Sequence, residues 1–311
     1  MKYKKTLLVV PVVAVALVVG FGTRAATVDL FTSTLNDQTI FANTYVTVGA
    51  HSSDQKVNGN ILANQAVTTG AGSVISGDIE SGAAVTLGAN SHVSGTVGYS
   101  AAVTNGAGSS SGVQTQNTTS SGVIDEHQGV IDAQSALDGM SAGTTLDSMT
   151  EDIVLSSGVY NVPGYLTTAA DVTITLDAEN QDGAFIFNIS TYLSFGAGTV
   201  VEVINGTPNT TVIWNVTDGY ASMGANAEIV GAILAEQYVV VGAGSTITGS
   251  GNSCGGIFSG LSYVTIGADV LIGTSDCAEG AINNMNITDD VAHYEVVHEG
   301  DPGGWVPPSA F

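Results

Sequence analysis

The sequence predicts a mainly β protein: a three-sided β-helix of about 18 residues per coil, with one α-helix packed alongside. Three observations predict it. Glycines recur at one fixed interval, at Gly59, Gly77 and Gly95, at Gly70, Gly88 and Gly106, and again at Gly224 with Gly242 and Gly231 with Gly249. Each copy reads apolar, polar, apolar and then a Gly-Ala corner, as in "VTTGAGSVISGDI" from Val67 and "VTLGANSHVSGTV" from Val85. That is strand alternation followed by a turn. One segment, "SGVIDEHQGVIDAQSALDGM", breaks this rhythm with helical spacing.

The elements follow in chain order. Lys2, Lys4 and Lys5 precede an apolar run over residues 7–21, and "TRAA" follows. Residues 1–25 therefore read as a secretory signal peptide, with an uncleaved anchor as the alternative. Residues 26–112 hold N-terminal coils, with a looser copy at Thr44 ("TYVTVGAHSS"). Glycine suits their corners because it tolerates positive φ. Charge is scarce in them because like charges stacked on successive rungs repel. Residues 113–145 form a polar linker and the helix, whose apolar face is Val123, Ile124, Val130, Ile131 and Leu137 with His127 and Gln134 intruding. Gly139, Gly143 or both should end it. The helix should lie along one face of the solenoid and cover it. Residues 146–280 return to coils, with copies at Tyr192, Tyr220 and Tyr263. Residues 281–311 are an acidic tail, and residues 26–280 should form one continuous domain.

Composition excludes several functions. Removing residues 1–25 leaves Lys56 as the sole basic residue against 28 carboxylates, a net charge near −27. Nucleic-acid binding lacks its basic footprint. An anionic membrane surface would repel the chain. No arginine or lysine clamp exists for phosphoryl transfer. The place of action is extracellular, secreted or at the cell surface, and there Cys254 and Cys277 should form a disulfide.

No catalytic constellation is present. His51, His92, His127, His293 and His298 stand in no nucleophile or metal spacing. The copies lack the recurring aspartate of calcium-binding coils. Asp289, Asp290, Glu295, Glu299 and Asp301 read as a solvated tail rather than a cation site. The expectation is a protein that is not an enzyme and needs no metal or cofactor. N-x-Ser/Thr triplets occur at Asn117, Asn188, Asn205, Asn209, Asn215 and Asn286 and carry little weight in so Ser/Thr-rich a chain. Carbohydrate binding would need aromatic platforms, whereas the tyrosines lead repeats rather than cluster.

Longer phrases add a resemblance. "SGVY", "TLDAENQDGAFIFNI" and "VVEVINGTPNTTVIWNV" lie within residues 155–216, and "ASMGANAEIVGAILAEQYVVVGAGSTITG" follows. From about Val123 to Ile272 the chain closely resembles the secreted microbial ice-binding-protein family. That resemblance implies a discontinuous right-handed β-helix with a flanking helix. It also implies ice, or ordered water, as the partner, with antifreeze or recrystallisation-inhibiting activity. The N-terminal ladder departs from the family and also resembles bacterial polymer-forming β-helix proteins. Self-association as a structural or adhesive surface protein is therefore the competing reading.

The candidate surface is made of stacked hydroxyls. Aligned on "V-T-x-G-A", one column holds Thr47, Thr68, Thr86, Thr104, Ser194, Ser222, Val240 and Thr265. A second, three residues past each Gly, holds Ser73, Ser91, Ser109, Thr199, Ala227, Ser245 and Val270; a third includes Ser76, Ser94, Val230 and Thr248. Threonine suits any exposed strand, so the columns alone do not separate decoration from function. Which side binds ice is not specified by the repeats.

Overall fold

The structure is a computed structural model that describes residues 26–28, 30–52, 56–117, 126–140, 143–275, 280–282, 285–287 and 297–298. The signal segment and the Asp289–Asp301 acidic cluster lie outside the described residues. Three parallel β-sheets form the sides of a solenoid. The first, with eleven strands, runs in the order Gln114–Gln116, Val97–Tyr99, Ile79–Ser81, Asn60–Ala63, Gln38–Ala42, Gly256–Ser259, Ala232–Ala235, Thr211–Val216, Ala184–Ile189, Gly158–Val162 and Thr144–Thr145. The second has nine strands, from Val103–Asn105 to Leu166–Thr167. The third runs from Ser110–Ser111 to Ile153–Ser156, with Val57 bridging Ile75 above and Ile272 below.

The winding is discontinuous. The first coil stacks on the last: Ile40 pairs with Ile257, and Thr47 with Thr265. Across this seam Ser52 donates its backbone N–H (2.6 Å) and its hydroxyl (2.8 Å) to the Asp269 carboxylate, and the Asn58 amide donates to the Gly273 carbonyl (2.8 Å). The coils from Gln38 onward climb away from the seam. The chain then returns along the outside and winds back up to it from Thr144.

The middle N-terminal coils keep the expected period: Ile61, Ile79 and Val97 are partners 18 residues apart, whereas Ile40 to Ile61 takes 21 residues and Val97 to Gln114 takes 17. The others do not. Leu166, Leu193, Ala221, Val239 and Val264 share one column, so those coils take 27, 28, 18 and 25 residues. The surplus lies in residues 178–183, 205–210 and 249–255, all at the corner between the third and first sheets. The second sheet is spared.

Inside, Tyr160, Phe187 and Trp214 stack in register, with ring centroids 5.1 and 4.0 Å apart. The phrases "SGVY", "FIFNI" and "VIWNV" thus write one aromatic column of the core. Trp214 Nε1 donates to the Val230 carbonyl (3.0 Å), which satisfies its buried N–H.

Helix α1 is Ser33–Asn36 and helix α2 is Glu126–Asp138. Val130, Ala133 and Leu137 of α2 and Leu35 of α1 pack on Phe41, Val159, Ile186, Ile213, Leu234 and Phe258, on the outer face of the first sheet. Those strands are buried on both faces, which is why Thr211–Val216 reads as a near-continuous apolar run. Thirteen residues of helix span about 20 Å, roughly four rungs. The upper strands of this sheet accordingly lie bare, and Gln114–Gln116 is fully exposed.

The expected boundaries shift slightly. Gln114–Gln116 belongs to the N-terminal coils rather than to the linker, and Thr144–Thr145 opens the lower ones. The tail contributes strands: Met285–Ile287 pairs antiparallel with Ala26–Val28, and Val297–His298 with Ile153–Ser156. Among the described residues, no helix is long and apolar enough to cross a membrane.

Candidate functional site

The second sheet carries the candidate site. In each strand the flanking residues point into the core and the middle residue points out, as in Val67, Thr68 and Thr69 (buried, exposed, buried). Parallel register places those middle residues in one file: Thr104, Thr86, Thr68, Thr47, Thr265, Val240, Ser222, Ser194 and Thr167. The sequence shows two groups of repeats; the seam joins them into one file of nine rungs, spaced about 4.7–4.9 Å apart.

The file is not uniform. Among the described residues, the hydroxyls of Thr104, Thr86, Thr68, Thr47 and Thr265 take part in no intramolecular hydrogen bond, whereas those below Val240 do. Ser222 donates to the Ser194 hydroxyl (3.0 Å), and Thr167 to the Ser148 hydroxyl (2.9 Å). Five consecutive threonines therefore present free hydroxyls and methyls to solvent. Threonine suits this because its branched side chain holds few χ1 rotamers.

Other candidates lie elsewhere. Ser73, Ser91, Thr199 and Ser245 are fully buried and do not belong to an exposed file. Three residues past the glycine, the chain has already turned inward; the Ser73 and Ser91 hydroxyls close their own corners, while those of Ser245 and Thr199 reach the neighbouring rung. Ser73 bonds the carbonyls of Gly49 and Gly70, Ser91 that of Gly88 and Ser245 that of Gly224. Thr199 bonds the Thr168 hydroxyl (2.7 Å). Thr248 is half-buried on the third sheet, away from the threonine file. That sheet also carries Glu202 and the exposed Glu228, so it is the more charged side. Thr167 escapes repeat alignment because Ala169 stands where other copies have glycine.

A corner beside the file holds what the sequence reading missed. Tyr165, Tyr192, Tyr220, Tyr238, Tyr263 and Tyr45 stack ring on ring, with centroids 4.8–5.2 Å apart and planes within 8°. The tyrosines do cluster, contrary to expectation. Their faces are spent on one another, so along the stack they offer edges rather than sugar-binding platforms. Burial and the neighbouring phenols hold the Tyr192 and Tyr238 hydroxyls above their usual range.

Among the described residues, no group of three or more His, Cys, Asp or Glu side chains could hold a metal ion. Cys254 is not a free thiol; its expected partner Cys277 lies outside the described residues. Asn188 and Asn215 are buried beneath α2 and are closed to glycosylation in the folded chain.

A discontinuous three-sided solenoid with a helix along one side and a file of outward threonines on another defines a class of helix-flanked β-helix. The chain belongs to the ice-binding-like family, whose profile matches residues 61–257. The match begins well before Val123, so it takes in the N-terminal ladder from residue 61 onward, which the quoted phrases left outside. Ice-binding protein 1 of Shewanella frigidimarina (strain NCIMB 400) is 33% identical over 127 residues, 39% of this chain but 13% of that relative. Among solved structures, a glycosylated ice-binding protein (LeIBP) from an Arctic yeast aligns with a TM-score of 0.55 at 14% identity, covering 80% of this chain and 94% of that one. The ice-binding protein of the Antarctic ascomycete Antarctomyces psychrotrophicus aligns with a TM-score of 0.51 at 16% identity, covering 80% and 100%. At such identities the likeness establishes the fold.

Proposed function

We propose that this chain adsorbs to ice through the second sheet, and that Thr104, Thr86, Thr68, Thr47 and Thr265 form the centre of the contact. The supporting observation is the unbroken run of free, outward hydroxyls on the side that the helix leaves open. One hydroxyl contributes little, since it exchanges a bond to liquid water for a bond to ordered water. Five on a rigid frame act together. The frame is ordered before contact, so little freedom is lost on adsorption. Rung spacing matches the scale of oxygen repeats in ice. Water anchored by the hydroxyls and caged around the methyls joins the crystal, and the adsorbed protein pins the growing front. Val240 keeps the shape of threonine without the hydroxyl, so it interrupts the anchoring but not the flatness.

Substitution tests this reading. Thr68→Tyr should abolish thermal hysteresis and recrystallisation inhibition while leaving the circular dichroism spectrum and melting temperature near wild type. Ser222→Tyr, on the internally bonded stretch, should reduce activity less. Full activity in Thr68→Tyr would remove the threonine run from the mechanism.

The same reading places the protein outside the cell, exported by residues 1–25 and stapled by a Cys254–Cys277 disulfide. Closing a loop of this size contributes about 3 kcal/mol. A reductant should lower the melting temperature of the wild type and leave a Cys254→Ser variant unchanged.

A further inference from the structure

The upper end of the solenoid differs from the lower in edge, interior and charge. Its last strands, Val103–Asn105, Ser110–Ser111 and Gln114–Gln116, pair only with the coil beneath. Among the described residues their outer edges carry no further strand. Exposed edges of this kind template further pairing unless lysine, proline or a bulge blunts them. None is present: between residues 81 and 117 there is no Asp, Glu, Lys, Arg or Pro.

The interior of this coil is also distinct. In the core columns it places Asn105 over Leu87, Ser111 over Val93 and Gln114 over Val97. These three close a polar layer across the triangle. The Gln114 amide donates to Asn105 Oδ1 (3.0 Å) and to Ser111 Oγ (3.0 Å). The layer ends the apolar core without exposing it, and each amide keeps hydrogen-bonding capacity for a group above.

We propose that this end is an interface for a second copy of the chain, joined top to top about a two-fold axis. Charge selects this geometry. Beyond residue 25 every charged side chain but Lys56 is a carboxylate, and the uncharged upper coils are where two copies meet without carboxylates opposing one another. A head-to-tail contact would instead cover the exposed Asp147, Glu151 and Asp152 of the lower end with no base to pair them. Val297–His298 also runs antiparallel along the lower edge of the third sheet there. A two-fold contact is isologous and closes on itself. Strands of the two copies then meet antiparallel, and assembly stops at the dimer rather than growing into a filament.

Sedimentation of the full chain from micromolar to near-millimolar concentration tests this. The expected result is a reversible monomer–dimer equilibrium. Thr115→Asp, on the edge strand of the first sheet, and Ser110→Asp, on that of the third, should each raise the dimer dissociation constant by about tenfold or more with an unchanged dichroism spectrum. Both residues are exposed and lie off the threonine file, so ice activity per chain at low concentration should persist in either variant. A chain that stays monomeric throughout, one that grows past the dimer, or folded variants that associate like the wild type would each overturn the proposal.

Discussion

At the scale of the residue, each coil repeats a small set of backbone demands. One corner position needs positive φ, and it is filled by Gly72, Asn90, Gly108, Asp171, Gly198, Asn226, Gly244 and Asp269, all types that tolerate the left-handed region. A neighbouring column needs glycine for a different reason. A Cβ on Gly88 would sit 2.3 Å from the Gly70 carbonyl oxygen of the rung beneath. Gly88→Ala should therefore destabilise the fold by about 2–3 kcal/mol, read from urea unfolding. Both columns were legible as a repeat, but the burial of Ser73, Ser91, Thr199 and Ser245 was not. Sequence spacing does not reveal that the chain turns inward immediately after the left-handed residue. His51 makes a second residue-scale prediction. It is buried at the seam with neither ring nitrogen hydrogen-bonded, and burial lowers its pKa below the ordinary 6.5, opposed in part by Asp269. The folded state thus holds His51 neutral while the unfolded state takes up a proton. Stability should be full above about pH 6.5 and fall as pH drops below it, until the folded group also protonates. Thermal melts between about pH 7 and 5 should show this slope in the wild type and a flatter one in His51→Leu. Asp269 acts lower still: hydrogen bonds from Ser52 depress its pKa, so its contribution is lost as pH falls below the ordinary 3.8.

At the scale of the element, α2 matters most. Its apolar spacing was readable, and Val130, Gln134 and Leu137 are indeed on the buried face. The strands it covers were not readable, because the contacts join residues far apart in sequence. Nor was the polar network beneath it. Gln134 donates to the Val216 carbonyl (2.7 Å), Asn188 to that of Leu137 (2.8 Å), and Asn215 to Asn188 (2.9 Å) and to the Gln134 carbonyl (3.1 Å). These bonds give the helix a register that apolar contact alone would leave free to slide. Leu137→Ala should cost about 2–5 kcal/mol in chemical denaturation, the usual range for a fully buried leucine. The tyrosine stack teaches a similar lesson. The tyrosines other than Tyr165 were visible at the head of their repeats, yet unequal coil lengths hid their common column.

At the scale of the whole molecule, the seam is decisive. Ser52 and Asp269 are 217 residues apart and hydrogen-bonded. Thr47 and Thr265 are neighbours in the file for the same reason. Thr47→Tyr and Thr265→Tyr should therefore depress ice activity to a similar extent in thermal hysteresis measurements, although they belong to opposite parts of the chain. A loss confined to one of them would mean that the two halves act separately. Local pattern alone determined the coil, its glycine corners, its outward threonines and the presence of one amphipathic helix, because each depends on residues within about one turn of the solenoid. The stacking of the first coil on the last, the side that the helix closes, and hence the side left open were decided by tertiary packing. The physical reason is that a parallel rung joins to any rung of matching width and register. Which two rungs meet therefore depends on how the whole chain buries its apolar columns, and no short stretch of sequence carries that information.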